Sequence, residues 1–240
     1  MQCLVRLVKW SCIHANHGQE DPPLIEIDGR EDIWAVTFSA NGKDIVGGGQ
    51  GNGGVWRVED GKQMATLRAR YVTCLAVSKD GRWIAAGTEN GDVIMWDAKT
   101  FERVFSHEGD MYAIHGVDFS PDSTPLVAAL KNRTATVWDV ATRKKVHTLD
   151  HEAAVFASKY SPQGDRIATA TRESVRVWDS SDGRLLVHIP VKVAPYYISK
   201  VAHHLFITYV HSHHLWLLMA LIYIPVPTSM ISSSHKYGFK

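Results

Sequence analysis

The sequence of 240 residues contains only three cysteines, Cys3, Cys12 and Cys74. Because they are odd in number and scattered, no disulfide framework is expected, and a reducing compartment is the default. The short Cys–Cys spacing typical of zinc sites is also missing. This argues against a zinc site built from Cys3, Cys12, His14 and His17, and no metal site is predicted.

The chain also lacks an excess of charge of either sign, with 26 Lys and Arg against 25 Asp and Glu. A net charge of +1 argues against nucleic acid as the main ligand, because such binding depends on many cationic contacts to phosphate. Its 45% of hydrophobic residues suffices for a buried core. The first 20 residues offer no uninterrupted apolar stretch for a secretory signal, so an intracellular location, cytoplasmic or nuclear, is expected.

Motifs that carry catalysis are missing as well. The run Gly49–Gly54 has the spacing of a dinucleotide-binding loop, but Val55 and Trp56 continue it as a strand, whereas that loop must open a helix. No nucleophile elbow and no recognisable Cys–His pair occur within the repeats. We therefore assign no catalytic residue and no cofactor, and we do not expect an enzyme.

Four tryptophans, in contrast, recur at nearly constant intervals of 40, 42 and 40 residues, and the last three are each followed by aspartate. A repeat of this length indicates small units that bury their apolar faces only against one another. Turn capping by backbone N–H groups is a better explanation for the aspartates than catalysis. The residues of this repeat are Trp56, Trp96, Trp138 and Trp178, with Asp97, Asp139 and Asp179.

Turn clusters at similar intervals confirm the same period. Each lies between apolar-rich runs, and two further runs follow, so every unit contains four short strands and no helical periodicity. This pattern predicts an all-β protein, a partial β-propeller of about four four-stranded antiparallel blades. The clusters are Ser39–Gly42, Ser78–Gly81, Ser120–Ser123 and Ser161–Gly164.

The Trp-Asp pairs, each about 18 residues after such a turn, resemble the repeats of the WD-repeat family. That resemblance covers roughly 24–191 and implies a buried set of hydrogen-bonded residues in each blade: a His, a Ser or Thr, an Asp and the Trp. In the fourth unit His151, Thr171 and Trp178 match, while Glu173 replaces the Asp. The other units keep less of the set, which implies weaker individual blades.

The composition divides the chain into three parts. Residues 1–23 form a lead-in, for which an extra strand, a loose segment and a mitochondrial presequence remain open. Residues 24–191 form the blades, and residues 192–240 form a tail outside the repeat. Since WD-repeat rings most often have seven blades, we expect a truncated, open arc that self-associates through uncovered blade edges. The predicted blade limits are 24–67, 68–106, 107–149 and 150–191.

The tail contains no Asp or Glu after Asp182, and it holds six of the 13 His residues. Its apolar run Leu205–Val226 is split by three histidines, so a membrane span is disfavoured. The favoured interpretation is a segment never selected to fold, such as translated non-coding sequence. A short helix over the last blade, a membrane span and a His-rich metal site are the alternatives.

With no reactive groups in the repeats, the predicted function is a non-catalytic scaffold that binds other proteins. The alternatives are a scaffold tethered to a membrane through 205–226 and a fragment of a propeller enzyme similar to quinoprotein dehydrogenases. The loop before each first strand should carry the contacts. The candidates are Trp34, Arg70, Tyr71, Tyr112 and Phe156; for Trp34 and Phe156, burial between blades is the competing interpretation.

Overall fold

The computed structural model describes residues 32–109 and 111–191 in full, and outside them the backbone of six strands. Within these residues all regular secondary structure is β-strand. Three of the outer strands, joined in chain order into one sheet, are β1 (Leu4–Val8), β2 (Ser11–Ala15) and β3 (Glu26–Asp28).

Four sheets of four strands, here called blades 1 to 4, make up the fully described region. Blade 1 contains β4 (Ile33–Phe38), β5 (Asp44–Gly49), β6 (Gly53–Arg57) and β7 (Gln63–Leu67). Blade 2 contains β8 (Val72–Val77), β9 (Trp83–Thr88), β10 (Val93–Asp97) and β11 (Arg103–His107). Blade 3 contains β12 (Ile114–Phe119), β13 (Pro125–Leu130), β14 (Thr134–Asp139) and β15 (Lys145–Asp150). Blade 4 contains β16 (Ala157–Tyr160), β17 (Arg166–Ala170), β18 (Ser174–Asp179) and β19 (Leu185–Pro190).

Within each blade the strands pair antiparallel in chain order. The first strands β4, β8, β12 and β16 adjoin one another in succession, so the blades form an open, propeller-like array. The predicted all-β fold of four four-stranded antiparallel blades is confirmed. The division into 1–23, 24–191 and 192–240 stays a prediction.

The described part of the tail consists of strands, so the helix considered there is wrong for these residues. They form a sheet of β20 (Pro195–Val201), β21 (His204–His211) and β22 (His214–Trp216). Strand β20 lies against β16 and β17, where a further blade would continue the array. Self-association through blade edges stays a prediction.

Small residues in the second strands allow the blades to approach closely. Ala85, Ala86, Ala128 and Ala129 are completely buried. A Cβ atom placed on Gly48 would lie 2.9 Å from the Cβ of Val72 in the next blade, so glycine is required at this contact. The core therefore lies between the faces of neighbouring blades.

The antiparallel topology gives the array two rims. The upper rim consists of the loops that precede the first strands and the turns that join the second and third strands. We call lower rim the remaining turns. The upper rim comprises residues 50–52, 68–71, 89–92, 108–109, 111–113, 131–133, 151–156 and 171–173, and the lower rim 39–43, 58–62, 78–82, 98–102, 120–124, 140–144, 161–165 and 180–184.

Candidate functional site

A β-bulge at the start of the first strand shapes the upper rim in blades 1 to 3. The register with the second strand skips one residue, which is Trp34 in β4, Thr73 in β8 and His115 in β12. Phe156 holds the matching place in blade 4, five residues before the serine of the following turn, as Trp34 does in blade 1. Because a bulge redirects the extra side chain, these positions can project from the sheet.

The first cluster on the upper rim joins blades 1 and 2. The Trp34 side chain is 45% exposed, and its ring centroid lies 6.4 Å from that of Tyr71. The Arg70 guanidinium lies over the Tyr71 ring at 5.7 Å. Three of the predicted contact residues therefore form one surface, and Trp34 is not enclosed between blades.

The backbone of Tyr71 is held firmly in this cluster. Its φ angle is +55°, its N–H donates to the Gln50 carbonyl at 3.3 Å, and its carbonyl accepts from the Glu89 N–H at 2.8 Å. These bonds connect the segment to turns of blades 1 and 2. The ring is thus presented from a fixed backbone, which lowers the entropy lost on binding.

Tyr112 is a further exposed aromatic residue of the upper rim, in the loop before blade 3. Its side chain is 48% exposed, and the neighbouring Met111 is 81% exposed. A Cβ on Gly91 would lie 2.8 Å from the Tyr112 carbonyl oxygen, so this loop packs closely on the turn of blade 2.

Phe156 is half-buried in a separate cluster over blades 3 and 4. Its ring stacks on His115 with a centroid distance of 5.1 Å, and the Arg172 guanidinium lies 5.1 Å above it. Burial, followed by the charge of Lys131, lowers the pKa of His115. Sequence reasoning missed His115 and Arg172, although the constant offset of His115 from the Ser-Pro-Asp turn matches that of Trp34.

The buried set in blade 4 centres on Thr169, and the Thr171 assignment is wrong. The Trp178 Nε1–H donates to Thr169 Oγ1 at 2.7 Å, and this hydroxyl lies 2.8 Å from His151 Nε2. His151 Nδ1 lies 2.9 Å from the Leu149 carbonyl oxygen. Every contact is satisfied when neutral His151 carries its proton on Nδ1, donates to Leu149 and accepts from Thr169.

Thr171 serves the turn between β17 and β18 instead. Its hydroxyl oxygen accepts the N–H groups of Glu173 at 3.2 Å and Ser174 at 3.0 Å. The two threonines are two residues apart, so the alternation of a strand predicts the same side for both and does not distinguish them. Thr169 is in the strand, whereas Thr171 follows its last residue, at the turn.

The aspartates after the tryptophans cap the turns on the lower rim. Asp97 accepts backbone N–H groups from Lys99 at 2.8 Å and Thr100 at 2.9 Å. Asp139 and Asp179 accept in the same way in blades 3 and 4. Hydrogen bonds from these turns lower the pKa of all three carboxyl groups.

Acidification should weaken the fold through His151. Burial lowers the pKa of His151 to about 4 from its ordinary value of 6.5, so the unfolded chain binds a proton more readily than the folded protein. The stabilisation is therefore complete above pH 6.5 and is lost as the pH falls toward 4. We expect a loss of about 2 kcal/mol between pH 7 and pH 5 from this residue.

Urea denaturation at several pH values checks this expectation, with His151→Gln compared with the wild type. His188→Gln, a substitution at an exposed histidine of β19, is the control and should keep the wild-type slope. An unchanged slope in His151→Gln would contradict the assignment.

The metal site and the membrane span weighed in the sequence analysis can be checked for the described residues. Among the fully described residues, no three His, Cys, Asp or Glu side chains are grouped to hold a metal ion. No helix among the described residues has the length and apolar character to span a membrane. The side chains of Cys3, Cys12, His14, His17 and the run 205–226 lie outside the described residues.

Comparison with known proteins identifies the family. A model for β-propellers described as "Nucleolar protein 10-like, N-terminal domain" matches residues 35–212. The chain belongs to this family. The match of the nucleolar protein 10-like family continues past residue 191 and includes all of β20 and β21.

Curated relatives of this family member include WD repeat-containing proteins, so the resemblance is confirmed. WD repeat-containing protein 1 of Gallus gallus is 36% identical over 87 residues, which are 34% of this chain and 14% of that protein. Transcription factor unc-37 of Caenorhabditis elegans is 25% identical over 170 residues, 65% of this chain and 28% of the relative. The chain thus matches less than a third of either protein.

A solved structure supports the fold of this nucleolar protein 10-like chain. The structure of U3-55K superposes with a TM-score of 0.67 at 20% sequence identity, covering 76% of this chain and 60% of the other. At this identity the likeness establishes the propeller fold alone.

Proposed function

We propose that this protein is a non-catalytic scaffold that binds protein partners on its upper rim. The observation that carries this proposal is the cluster of Trp34, Arg70 and Tyr71, in which an exposed tryptophan, a cation and a second ring share one surface. Trp, Tyr and Arg are the residue types that most often dominate the energy of protein interfaces.

Tyr112 and Met111, which are both well exposed, lie on the same rim. An aromatic and a methionine side chain exposed side by side are suited to contact with a protein partner. The rigid backbone of Tyr71 and the close packing at Gly91 also favour a pre-formed binding surface. The similarity to WD-repeat proteins also supports a partner that is a protein.

Replacing Arg70 and Tyr71 together with alanine should abolish partner capture. Both side chains lie on the surface cluster, so we expect the free energy of unfolding to change by no more than about 1 kcal/mol. Quantitative mass spectrometry of proteins retained by the immobilised full chain measures the loss.

The matched control is Arg143→Ala with Lys144→Ala, which removes two exposed side chains from the lower rim of blade 3. Partners should remain bound to this control. Equal retention by the wild type, the control and the Arg70/Tyr71 variant would refute the assignment of binding to the upper rim.

We also propose a nuclear, and more specifically nucleolar, location. The description of the matching family supports it, and it narrows the intracellular location expected from the sequence. Fluorescence imaging of the tagged full chain together with a nucleolar marker tests this proposal, and exclusion from the nucleus would contradict it.

A further inference from the structure

A pocket of about 230 Å³ opens on the lower rim between blades 1 and 2, away from the proposed binding surface. Its floor consists of Val46, Val55 and Ile84, which are buried in the core shared by these blades. Asp44 and Asp80 also line it. Small-molecule and cofactor sites usually measure roughly 300 to 1,000 Å³, so this pocket suits one side chain better than a whole cofactor.

Comparison with the next junction shows why this pocket is open. Asp44 pairs with the residue after Trp56, and Trp83 pairs in the same register with the residue after Trp96. Thus the position held by an aspartate in blade 1 is held by a tryptophan in blade 2.

The wall of the pocket that blade 2 supplies also has a smaller side chain than the same place in blade 3. Ala98 lines the pocket two residues after Trp96, and Val140 follows Trp138 by the same distance. Trp83 and Val140 belong to one apolar cluster between blades 2 and 3. The junction of blades 1 and 2 therefore carries smaller or polar residues where the neighbouring junction is packed.

The charge of the pocket is negative. The Asp44 carboxylate makes no hydrogen bond or salt bridge with any fully described residue, although its N–H donates to Ser39 Oγ at 2.9 Å. Two arginines near this pocket have other contacts: Arg57 pairs with Asp60 at 3.1 Å, and Arg82 lies over the Trp83 ring at 5.0 Å. The lysines of the same turns are exposed, and none forms a salt bridge with Asp44. An aliphatic floor beneath a free carboxylate matches a side chain with an apolar stem and a cationic end.

We infer that this pocket binds a lysine or arginine side chain of a protein partner. The stem would lie on Val46, Val55 and Ile84, and the charged end would reach Asp44. This contact would add to those of the upper rim, on which partner capture depends, and it would not hold a partner by itself.

The n-butylguanidinium ion is a suitable probe, with n-butanol as its neutral counterpart. We expect the ion to shift the backbone amide NMR signals of Gly81 and Ala98 in the 15N-labelled full chain, with saturation at millimolar concentrations. Because an exposed or half-exposed ion pair contributes little, the expected preference over n-butanol is roughly fivefold.

Two variants separate the stem from the charge. Ala98→Val copies the residue of blade 3 and should remove the response to both compounds, while Asp44→Asn should remove only the preference for the cation. Asp182→Asn, at an exposed turn of blade 4, is the control and should leave both responses unchanged.

No saturable shift in the wild type, no preference for the cation, or a full response in Ala98→Val would overturn the inference. The Arg70/Tyr71 variant should keep the wild-type response, because those residues lie on the opposite rim. Failure at one rim is therefore distinguishable from failure at the other.

Discussion

Thr169→Val should lower the free energy of unfolding by about 3 kcal/mol. Valine preserves the shape of the side chain but leaves the Trp178 Nε1–H without its acceptor and His151 Nε2 without its donor. Each buried polar group without a partner costs about 1 to 3 kcal/mol. Urea denaturation followed by tryptophan fluorescence measures the change.

The matched control is Thr171→Val, two residues further along the same chain. It removes the acceptor for the Glu173 and Ser174 N–H groups, but Thr171 N–H still donates to the Ser174 carbonyl. We expect a loss of about 1 kcal/mol, typical of one capping interaction. A larger loss in Thr171→Val than in Thr169→Val would restore the assignment that the family resemblance implied.

Gly91→Ala should also cost about 3 kcal/mol, for a different reason. The φ angle of Gly91 is +93°, and a left-handed conformation costs other residues roughly 1 to 2 kcal/mol. The new Cβ would in addition lie 2.8 Å from the Tyr112 carbonyl oxygen, in the loop that leads into blade 3. Relief of that contact requires a backbone shift, which adds a cost similar to that of overpacking.

Gly42→Ala isolates the contribution of the backbone angle. Gly42 has a φ angle of +70°, yet no atom outside its immediate neighbours lies within 4 Å of a Cβ placed there. We expect a loss of about 1 kcal/mol in the same denaturation experiment. An equal loss in the free energy of unfolding for Gly91→Ala and Gly42→Ala would contradict the expected cost of the contact with Tyr112.

The blades could be predicted because their information is local. Ser-Lys-Asp-Gly at 78–81 specifies a turn by its own chemistry, and alternating runs on both sides specify strands. The aspartates follow the same logic, since Asp97 bonds to backbone N–H groups only two and three residues away. The interval between tryptophans then requires stacking, because one small sheet cannot cover its own apolar faces.

The candidate site could be predicted only in part. Arg70 and Tyr71 are adjacent in the sequence, so their proximity could be predicted without the fold. The position of Trp34 beside Tyr71 depends on how blade 1 packs against blade 2. His115 and Arg172 were missed because only the folded chain brings each of these polar residues against the Phe156 ring. Only the offset from the serine turn signals the common bulge position.

The amino-acid sequence by itself determined the period, the strands, the turns and hence the resemblance to WD-repeat proteins, because these depend on contacts between residues near one another in the chain. The tertiary structure alone decided that Thr169 rather than Thr171 joins His151 to Trp178. It also decided that the junction of blades 1 and 2 is open where the next is packed. Both outcomes depend on distances between strands or blades, which side chains far apart in the sequence set together.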